Sequence, residues 1–318
     1  NKKRLYYLYK EGQTPKEWHK RLFTEAKKLK LLAFSTPFDL DSVDFLIKLN
    51  VPCFKISSFE ITYLDLIKKC ARTKKPLIIS TGLATFKEIK EAVKAASKNS
   101  AFLSGGQTLI PSMKLRLSSF SDVINVKNIK DLQGIKVSGK SVKIGAATKH
   151  AEVASSKDVI KAIPALAALA GGIGDMQVRN KGTLGGSIAN NDPSACYPSA
   201  CIALNAVIHT SNRKIDAEKF FKGMFETALK KDELVTAVEF TIPEKSAYIK
   251  IPNPASRYAL VGVFLAKYKK ETICAVTGAQ PVVFRSKEIE KALNNNFDPN
   301  SLNDLNLKSN EMNADIHA

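Results

Sequence analysis

The chain has 318 residues, enough for two or three domains of ordinary size. With 44% hydrophobic and 25% charged residues, its composition excludes collagen-like, low-complexity and fully disordered proteins. No apolar run approaches the roughly 18 residues of a membrane-spanning helix, and the charged start Asn1-Lys2-Lys3-Arg4 lacks the apolar stretch of a signal peptide.

The formal charge of +19 raises the question of a nucleic-acid partner. Of the 49 basic residues, 41 are lysine, whereas base and phosphate recognition relies on arginine forks. Residues 1–96 hold 20 basic and 10 acidic residues, and the remainder holds 29 and 20, so the charge has no single focus. This distribution favours a lysine-rich solvated surface over a polyanion site, and we expect no nucleic-acid partner.

The first 96 residues alternate predicted helices with short apolar strands. Helices are predicted over residues 15–29, 42–49, 63–71 and 86–96, and strands over residues 31–36, 53–58 and 76–82. This order and spacing are typical of a parallel sheet with crossover helices. Each predicted strand ends in polar residues, at the position where parallel α/β folds carry their chemistry.

From about residue 100 the pattern changes. Helices are predicted over residues 165–173 and 197–207, strands over residues 142–146 and 233–243, and a small α+β unit from residue 260 onward. Two glycine-rich segments stand out, Ser104-Gly-Gly-Gln-Thr108 and Thr183-Leu-Gly-Gly-Ser187. Adjacent glycines allow positive φ and can present successive amide N–H groups to an anion. Composition alone favours ordinary tight turns, with a pyrophosphate clasp as the alternative, and neither segment matches the Rossmann or P-loop glycine pattern.

Long stretches around these glycines carry a family resemblance, among them Leu103-SGGQTLIPSMKLRL-Ser118, Gly174-DMQVRNKGTLGGSIANNDPSACYPSA-Cys201 and Asn253-PASRYALVGV-Phe264. Through them, residues 101–318 resemble the FAD-binding medium subunit of carbon-monoxide-dehydrogenase-type molybdenum hydroxylases. The resemblance implies an α+β flavin fold of the vanillyl-alcohol-oxidase/PCMH type, a small α+β C-terminal domain, and FAD as the cofactor.

The same resemblance implies cofactor contacts and partners. The two loops would hold the FAD pyrophosphate through Ser104, Gly105, Gly106, Gln107, Thr108, Thr183, Gly185, Gly186 and Ser187. Asn190 and Asp192 would lie near the ribityl–pyrophosphate region. Such a medium subunit relays electrons from the iron–sulfur clusters of a small subunit, which receive them from a molybdenum cofactor on a large subunit.

Cysteine and histidine usage predicts neither a cluster nor a metal site. The five cysteines are odd in number and scattered, as is typical of reduced thiols in the cytoplasm. Cys196 and Cys201 lack the further close cysteines of a ferredoxin-type cluster, and the four histidines are solitary. Cys196 also stands where many members of the resembled family carry an acidic residue.

The N-terminal third resembles a different family, through Gln13-TPKEWHKRLF-Thr24, Phe54-KISSFEITYLDLI-Lys68 and Lys75-PLIISTGLAT-Phe86. These stretches are similar to the N-acetylneuraminate/pseudaminate synthases, (β/α)8 enzymes that condense phosphoenolpyruvate with an amino sugar. The resemblance maps substrate contacts to Thr36, Lys55, Ser58 and Ser80, and catalytic remnants to Lys55 and Glu60. Because only about three of eight strand–helix units are predicted, the alternative function, a synthase fragment, is expected to be inactive.

We therefore predict a chimera of two unrelated parts. Residues 1–96 form a partial (β/α) barrel fragment, residues 97–245 an N-terminally truncated FAD-binding domain of the PCMH type, and residues 246–318 a truncated small C-terminal domain. The predicted join falls within residues 88–100, and truncation of both partners there favours an artificial join over a natural fusion. The expected function is that of a cytoplasmic, FAD-binding electron-transfer subunit of an oxidoreductase, without a transmembrane segment.

Overall fold

The computed structural model describes residues 7, 11, 12, 14–82, 84–95, 100–303, 305–307, 312 and 313. The chain divides into two compact units, the first drawn from residues 1–101 and 120–125, the second from residues 102–119 and 126–318. The backbone therefore passes between the units three times, and the segment 102–119 is joined to the first unit at both of its ends.

The helices of the first unit confirm the predicted pattern to within two residues. They are α1 (Lys16–Lys28), α2 (Leu40–Lys48), α3 (Leu64–Arg72) and α4 (Phe86–Ala95). Asp39 caps α2 by accepting the N–H of Ser42 at 2.6 Å. The buried face of α3 consists of Leu66, Ile67 and Cys70, at the spacing of an amphipathic helix.

A four-stranded sheet lies in this part of the chain. Its strands are β1 (Phe54–Ile56), β2 (Leu77–Ile79), β3 (Ser100–Leu103) and β4 (Asp122–Asn125), side by side in the order β1-β2-β4-β3. β2 runs parallel to both β1 and β4. The first unit is thus a mixed α/β unit whose sheet draws strands from both sides of the predicted join.

The strand predicted over residues 31–36 is wrong, because this segment is irregular. No strand among the described residues pairs with it, and Leu31, Leu32 and Phe34 remain 62%, 84% and 42% exposed. An apolar run becomes a strand only where a neighbouring strand satisfies its backbone.

The second unit is built on a five-stranded antiparallel sheet. Its strands are β5 (Ile135–Ser138), β6 (Ser141–Gly145), β7 (Val207–Thr210), β8 (Lys214–Asp216) and β11 (Val235–Thr241), in the order β5-β6-β11-β7-β8. A separate hairpin is formed by β9 (Phe221–Gly223) and β10 (Glu226–Thr227).

This unit also contains a series of short helices among its described residues. They are α5 (Leu109–Lys114), α6 (His150–Ser155), α7 (Lys157–Ala162), α8 (Pro164–Gly171), α9 (Met176–Arg179), α10 (Leu184–Asn190), α11 (Tyr197–Ala203) and α12 (Ala217–Phe220). All residues of α11 are buried, because small side chains let it enter the core. The predicted helix over residues 197–207 was too long, since the chain turns at Leu204 and enters β7.

A second antiparallel sheet follows. It comprises β12 (Lys245–Pro252), β13 (Ala259–Lys267), β14 (Thr272–Thr277) and β15 (Phe284–Arg285), and α13 (Lys287–Asn295) comes after it. The α+β character predicted from residue 260 is confirmed, but β12 precedes that boundary. Its residues are alternately exposed and half-buried, so it lacks the apolar signal that marks the central strands.

Candidate functional site

The two glycine-rich segments lie together in the second unit. Loop 1 (residues 104–108) connects β3 to α5, and loop 2 (residues 183–187) comprises the N-cap Thr183 and the first turn of α10. Ser104 and Thr183 join them through their hydroxyl groups, whose oxygens are 2.9 Å apart. The structure thus brings together two segments that are 79 residues apart in the chain.

Loop 1 approaches the backbone that precedes loop 2 at a distance that only glycine permits. A Cβ atom on Gly105 would lie 2.5 Å from the carbonyl oxygen of Lys181 and 2.7 Å from Cα of Gly182. The next residue, Gly106, has a φ of +73°, in the left-handed region. Gly105 therefore allows loop 1 to pack closely against the backbone of Lys181 and Gly182, and Gly106 allows loop 1 to turn.

Loop 1 also presents backbone donors that the protein does not use. Within the described part of the chain, the N–H groups of Gly105, Gly106 and Gln107 donate to no protein acceptor. Both glycines are half-buried, and Gln107 and Thr108 are exposed. Successive free amides beside a residue with positive φ form a concave nest for an anion. The backbone of loop 1 is therefore suited to phosphate oxygens.

Thr183 fixes the position of loop 2. Its side chain is buried, and its Oγ1 accepts the N–H of Gly186 at 3.2 Å, which caps α10. The N–H of Gly185 donates to the carbonyl of Ala146 at 2.8 Å, so the loop is anchored just beyond the end of β6. Gly186 is exposed and Ser187 is half-buried, which leaves this end of the loop open to a ligand.

The two polar residues predicted beyond loop 2 lie at the end of α10. Asn190 is its last residue and is half-buried. Asp192, also half-buried, accepts the N–H of Ser194 on its Oδ1 at 2.9 Å. This bond holds the turn that follows the helix.

Asn191, between them, was missed as a site residue. It adopts φ +45° and is 2% exposed, and its Nδ2 donates to the carbonyls of Gly223 and Glu226, each at 2.8 Å. It therefore fastens the end of α10 to the β9–β10 hairpin. An asparagine at the left-handed end of a helix is a recognisable sequence signal, but its hairpin partner is not.

A neutral histidine packs behind loop 2. A Cβ atom on Gly182 would lie 2.7 Å from Nε2 of His150, whose ring centroid is 5.4 Å from that of Tyr197. Burial and, to a smaller extent, the charge of Arg179 lower the pKa of His150 to about 4. Within the described residues, His150 Nδ1 and the Tyr197 hydroxyl have no hydrogen-bond partner. His150 is therefore uncharged at neutral pH.

Cys196 lies buried beside a lysine. The Nζ of Lys250 is 3.6 Å from its Sγ and also donates to the carbonyls of Gly172, at 2.7 Å, and Arg257, at 2.8 Å. This ammonium group therefore ties β12 to the chain after α8. All five cysteines are free, and burial raises the pKa of the Cys201 thiol.

The residues mapped from the synthase resemblance lie in the first unit. Thr36 is in the irregular segment after α1, Lys55 is in β1, and Glu60 accepts the hydroxyl of Ser57. Ser58 and Ser80 follow the neighbouring strands β1 and β2. The Ser58 hydroxyl accepts the N–H of Gly82 at 3.1 Å, which confirms that the ends of these strands adjoin.

No helix among the residues that the structure describes is long and apolar enough to cross a membrane. No group of three or more histidine, cysteine, aspartate or glutamate side chains there could hold a metal ion.

Comparison with known proteins assigns the two parts of the chain separately. A family model described as the FAD binding domain in molybdopterin dehydrogenase matches residues 80–244, and the NeuB family model matches residues 1–109. The chain is 50% identical over 93 residues to pseudaminic acid synthase of Helicobacter pylori, but this covers only 29% of the chain and 27% of that synthase.

The larger part has longer matches. The chain is 38% identical over 216 residues to the glyceraldehyde dehydrogenase medium chain of Sulfolobus acidocaldarius, covering 64% of the chain and 77% of that protein. The structure of carbon monoxide dehydrogenase from Hydrogenophaga pseudoflava matches with a TM-score of 0.63 and 31% identity, over 68% of this chain and 79% of that one. The chain therefore belongs to the family of FAD-binding domains of molybdopterin dehydrogenases, and it carries a NeuB-like N-terminal segment.

Proposed function

We propose that loops 1 and 2 hold the pyrophosphate of FAD. The observation that carries this assignment is the 2.9 Å contact between Ser104 and Thr183, because it places the unused amides of loop 1 beside loop 2. The proposed contacts are Ser104, Gly105, Gly106, Gln107, Thr108, Thr183, Gly185, Gly186 and Ser187, with Asn190 and Asp192 at the ribityl side. Amide and hydroxyl donors suit a dinucleotide phosphate that the backbone approaches closely.

We infer that the chain acts as the medium subunit of a molybdenum hydroxylase. Bound FAD supplies a redox centre that exchanges electron pairs and single electrons. The protein binds and orients the cofactor, and the side chain of His150 behind loop 2 is uncharged. The medium-chain relatives support an assembly with a molybdenum-containing large subunit and an iron–sulfur small subunit. In that assembly electrons would pass through the iron–sulfur clusters to FAD and on to an acceptor.

The synthase-like segment supports no second function. The sheet that carries Lys55 continues from β2 to β4, which lies within the FAD-domain match, and not to a further strand of the NeuB match. We infer that β1 and β2 retain the local strand–helix pattern of a barrel without closing one.

Purified full-length chain is expected to bind one FAD per molecule, and Thr183→Val is expected to weaken that binding about tenfold. The substitution removes the hydroxyl that contacts Ser104 and caps α10, and each such bond contributes about 1 kcal/mol. The affinity is measured by titrating apoprotein with FAD and following flavin fluorescence.

Two variants complete this experiment. Thr183→Ser keeps the hydroxyl and should bind FAD within about threefold of the natural chain. Thr236→Val removes a hydroxyl that donates to the His209 carbonyl in the main sheet, so it should leave FAD affinity unchanged. A natural chain that binds no FAD would refute the proposed function.

A further inference from the structure

One peptide unit at the end of β4 is hydrogen-bonded on both sides. The carbonyl of Asn125 accepts the hydroxyl of Thr81, and the N–H of Val126, in the same peptide unit, donates to the carbonyl of Leu103 at 2.9 Å. Leu103 directly precedes Ser104, the first residue of loop 1. Thr81 and Val126 are 3% and 2% exposed, so water does not compete for these bonds.

The strand beside this peptide unit belongs to the synthase-like part of the chain. β2 pairs with β4 in parallel register, with Leu77 opposite Asp122 and Ile79 opposite Ile124. The strand lies within the NeuB match and ends one residue before the FAD-domain match begins at residue 80. Thr81 follows two residues later, and its hydroxyl reaches the carbonyl at the end of β4.

We propose that Thr81 is a positioning residue for loop 1 and, resting on the proposed FAD function, that it sets the affinity for the cofactor. Its hydroxyl holds the Asn125 carbonyl, which orients the Val126 N–H toward Leu103 and fixes the point where loop 1 starts. Hydrogen bonds that share one buried peptide unit polarise and strengthen one another. Thr81 lies where the two family matches overlap, two residues after the end of a strand that only the NeuB match covers.

The geometry of the chain explains why this point matters. Residues 102–119 belong to the second unit, and both ends of this segment continue into the first unit. A segment fixed at both ends has less conformational entropy to lose when it orders around a ligand. Without the Thr81 hydrogen bond, the peptide unit at the end of β4 holds Leu103 less firmly, and loop 1 gains conformational freedom. FAD must then restrict that freedom again when it binds.

The test uses the full-length chain with Thr81→Val, Thr81→Ser and a matched control. Thr81→Val has nearly the same shape and no hydroxyl, and we expect FAD affinity to fall about tenfold. Thr81→Ser keeps the donor and should restore affinity to within about threefold. Thr73→Val is the control, because Thr73 also donates to a carbonyl in the first unit, that of Cys70 at 2.6 Å, without contacting β4. It should bind FAD as the natural chain does.

Hydrogen exchange on apoprotein gives a readout that does not depend on FAD. In Thr81→Val, the Val126 amide, which donates to the Leu103 carbonyl, should exchange at least about tenfold faster, whereas the amides of β6 and β11 should be unchanged. Unchanged exchange and unchanged affinity overturn the proposal. If Thr81→Val shows this faster exchange and the natural chain binds no FAD, the cofactor function is refuted and the positioning role is supported.

A further variant, Thr81→Ala, distinguishes loss of the hydroxyl from misfolding of Thr81→Val. Thr81→Ala removes the hydroxyl without placing a methyl group against the Asn125 carbonyl, and it should reproduce the exchange pattern of Thr81→Val. If both variants unfold and Thr81→Ser does not, the hydroxyl supports the whole first unit and the proposal is overturned.

Discussion

Replacing Gly105 with alanine is expected to weaken FAD binding by about 100-fold. The new Cβ would lie 2.5 Å from the Lys181 carbonyl oxygen, whereas ordinary contacts begin at 3.4 Å, so loop 1 must move away by about 1 Å. That movement breaks the hydroxyl contact between Ser104 and Thr183 and spreads the donors of the two loops. Overpacking of this kind costs about 1–3 kcal/mol, and 100-fold in affinity corresponds to about 2.7 kcal/mol. Titration with FAD, followed by flavin fluorescence, measures the effect.

Gly171→Ala provides the matched control. Gly171 is the last residue of α8, and a Cβ atom there would make only an ordinary contact, 3.8 Å from Cβ of Ala154. This variant should bind FAD normally and be as stable as the natural chain or slightly more so. Equal FAD affinity in the Gly105 and Gly171 variants would show that the close approach of the two loops plays no part in cofactor binding.

Glu233→Gln is expected to destabilise the second unit by about 1–2 kcal/mol at neutral pH. The effect is limited to this size because water screens the partly exposed Arg213 guanidinium. The Glu233 carboxylate is 4% exposed and accepts hydrogen bonds from the Arg213 guanidinium, the Lys230 N–H and the Thr210 hydroxyl. Burial raises its pKa, but these hydrogen bonds outweigh burial and bring the pKa from its ordinary 4.5 down to about 2. The glutamine keeps the shape and loses the charge that the three donors stabilise.

The pH dependence follows from the direction of this shift. Because the folded-state pKa lies below the ordinary value, the stabilisation is complete above pH 4.5 and is lost as the pH falls toward 2. The difference between the natural chain and Glu233→Gln should therefore shrink over that range. Urea unfolding followed by circular dichroism measures this difference.

A carboxylate on the surface serves as the control. Glu226 is exposed, in β10 of the same unit, and Glu226→Gln should change the unfolding free energy by less than about 0.5 kcal/mol at any pH in this range. A constant difference between the natural chain and Glu233→Gln from neutral pH down to pH 2 would mean that the carboxylate is not preferentially stabilised in the folded state.

Local patterns in the sequence predict much of the secondary structure. The apolar periodicity of residues 63–71 predicts α3 because that helix buries one face. Residues 15–29 form α1 as predicted, although Trp18 and Leu22 in it are 61% and 52% exposed. The same approach fails at residues 31–36, which form an apolar run but no strand. Within the described residues, no neighbouring strand pairs with this run. It also fails at β12, whose register is set by pairing with residues of β13 that lie 7 to 22 positions further along the chain.

Local patterns in the sequence also predict only part of the candidate site. Glycine pairs with flanking hydroxyls identify loops 1 and 2, because this combination has a local purpose in exposing backbone amides. The links from Asn191 to the β9–β10 hairpin and from His150 to Gly182 cannot be found in this way. Each joins residues about 30 or more positions apart, and the residue types involved are equally common in ordinary turns and cores.

The strand order β1-β2-β4-β3 bears on how this protein could be divided. A cut at residue 97, where the two resemblances meet, would strip β4 of its neighbour β2 and leave an open row of backbone donors and acceptors. Open strand edges of this kind promote pairing between molecules, so the shortened protein should be prone to aggregate. Ancestry and folding therefore place their borders differently here: the two family matches overlap over residues 80–109, while one hydrogen-bonded sheet contains strands from before and after that overlap.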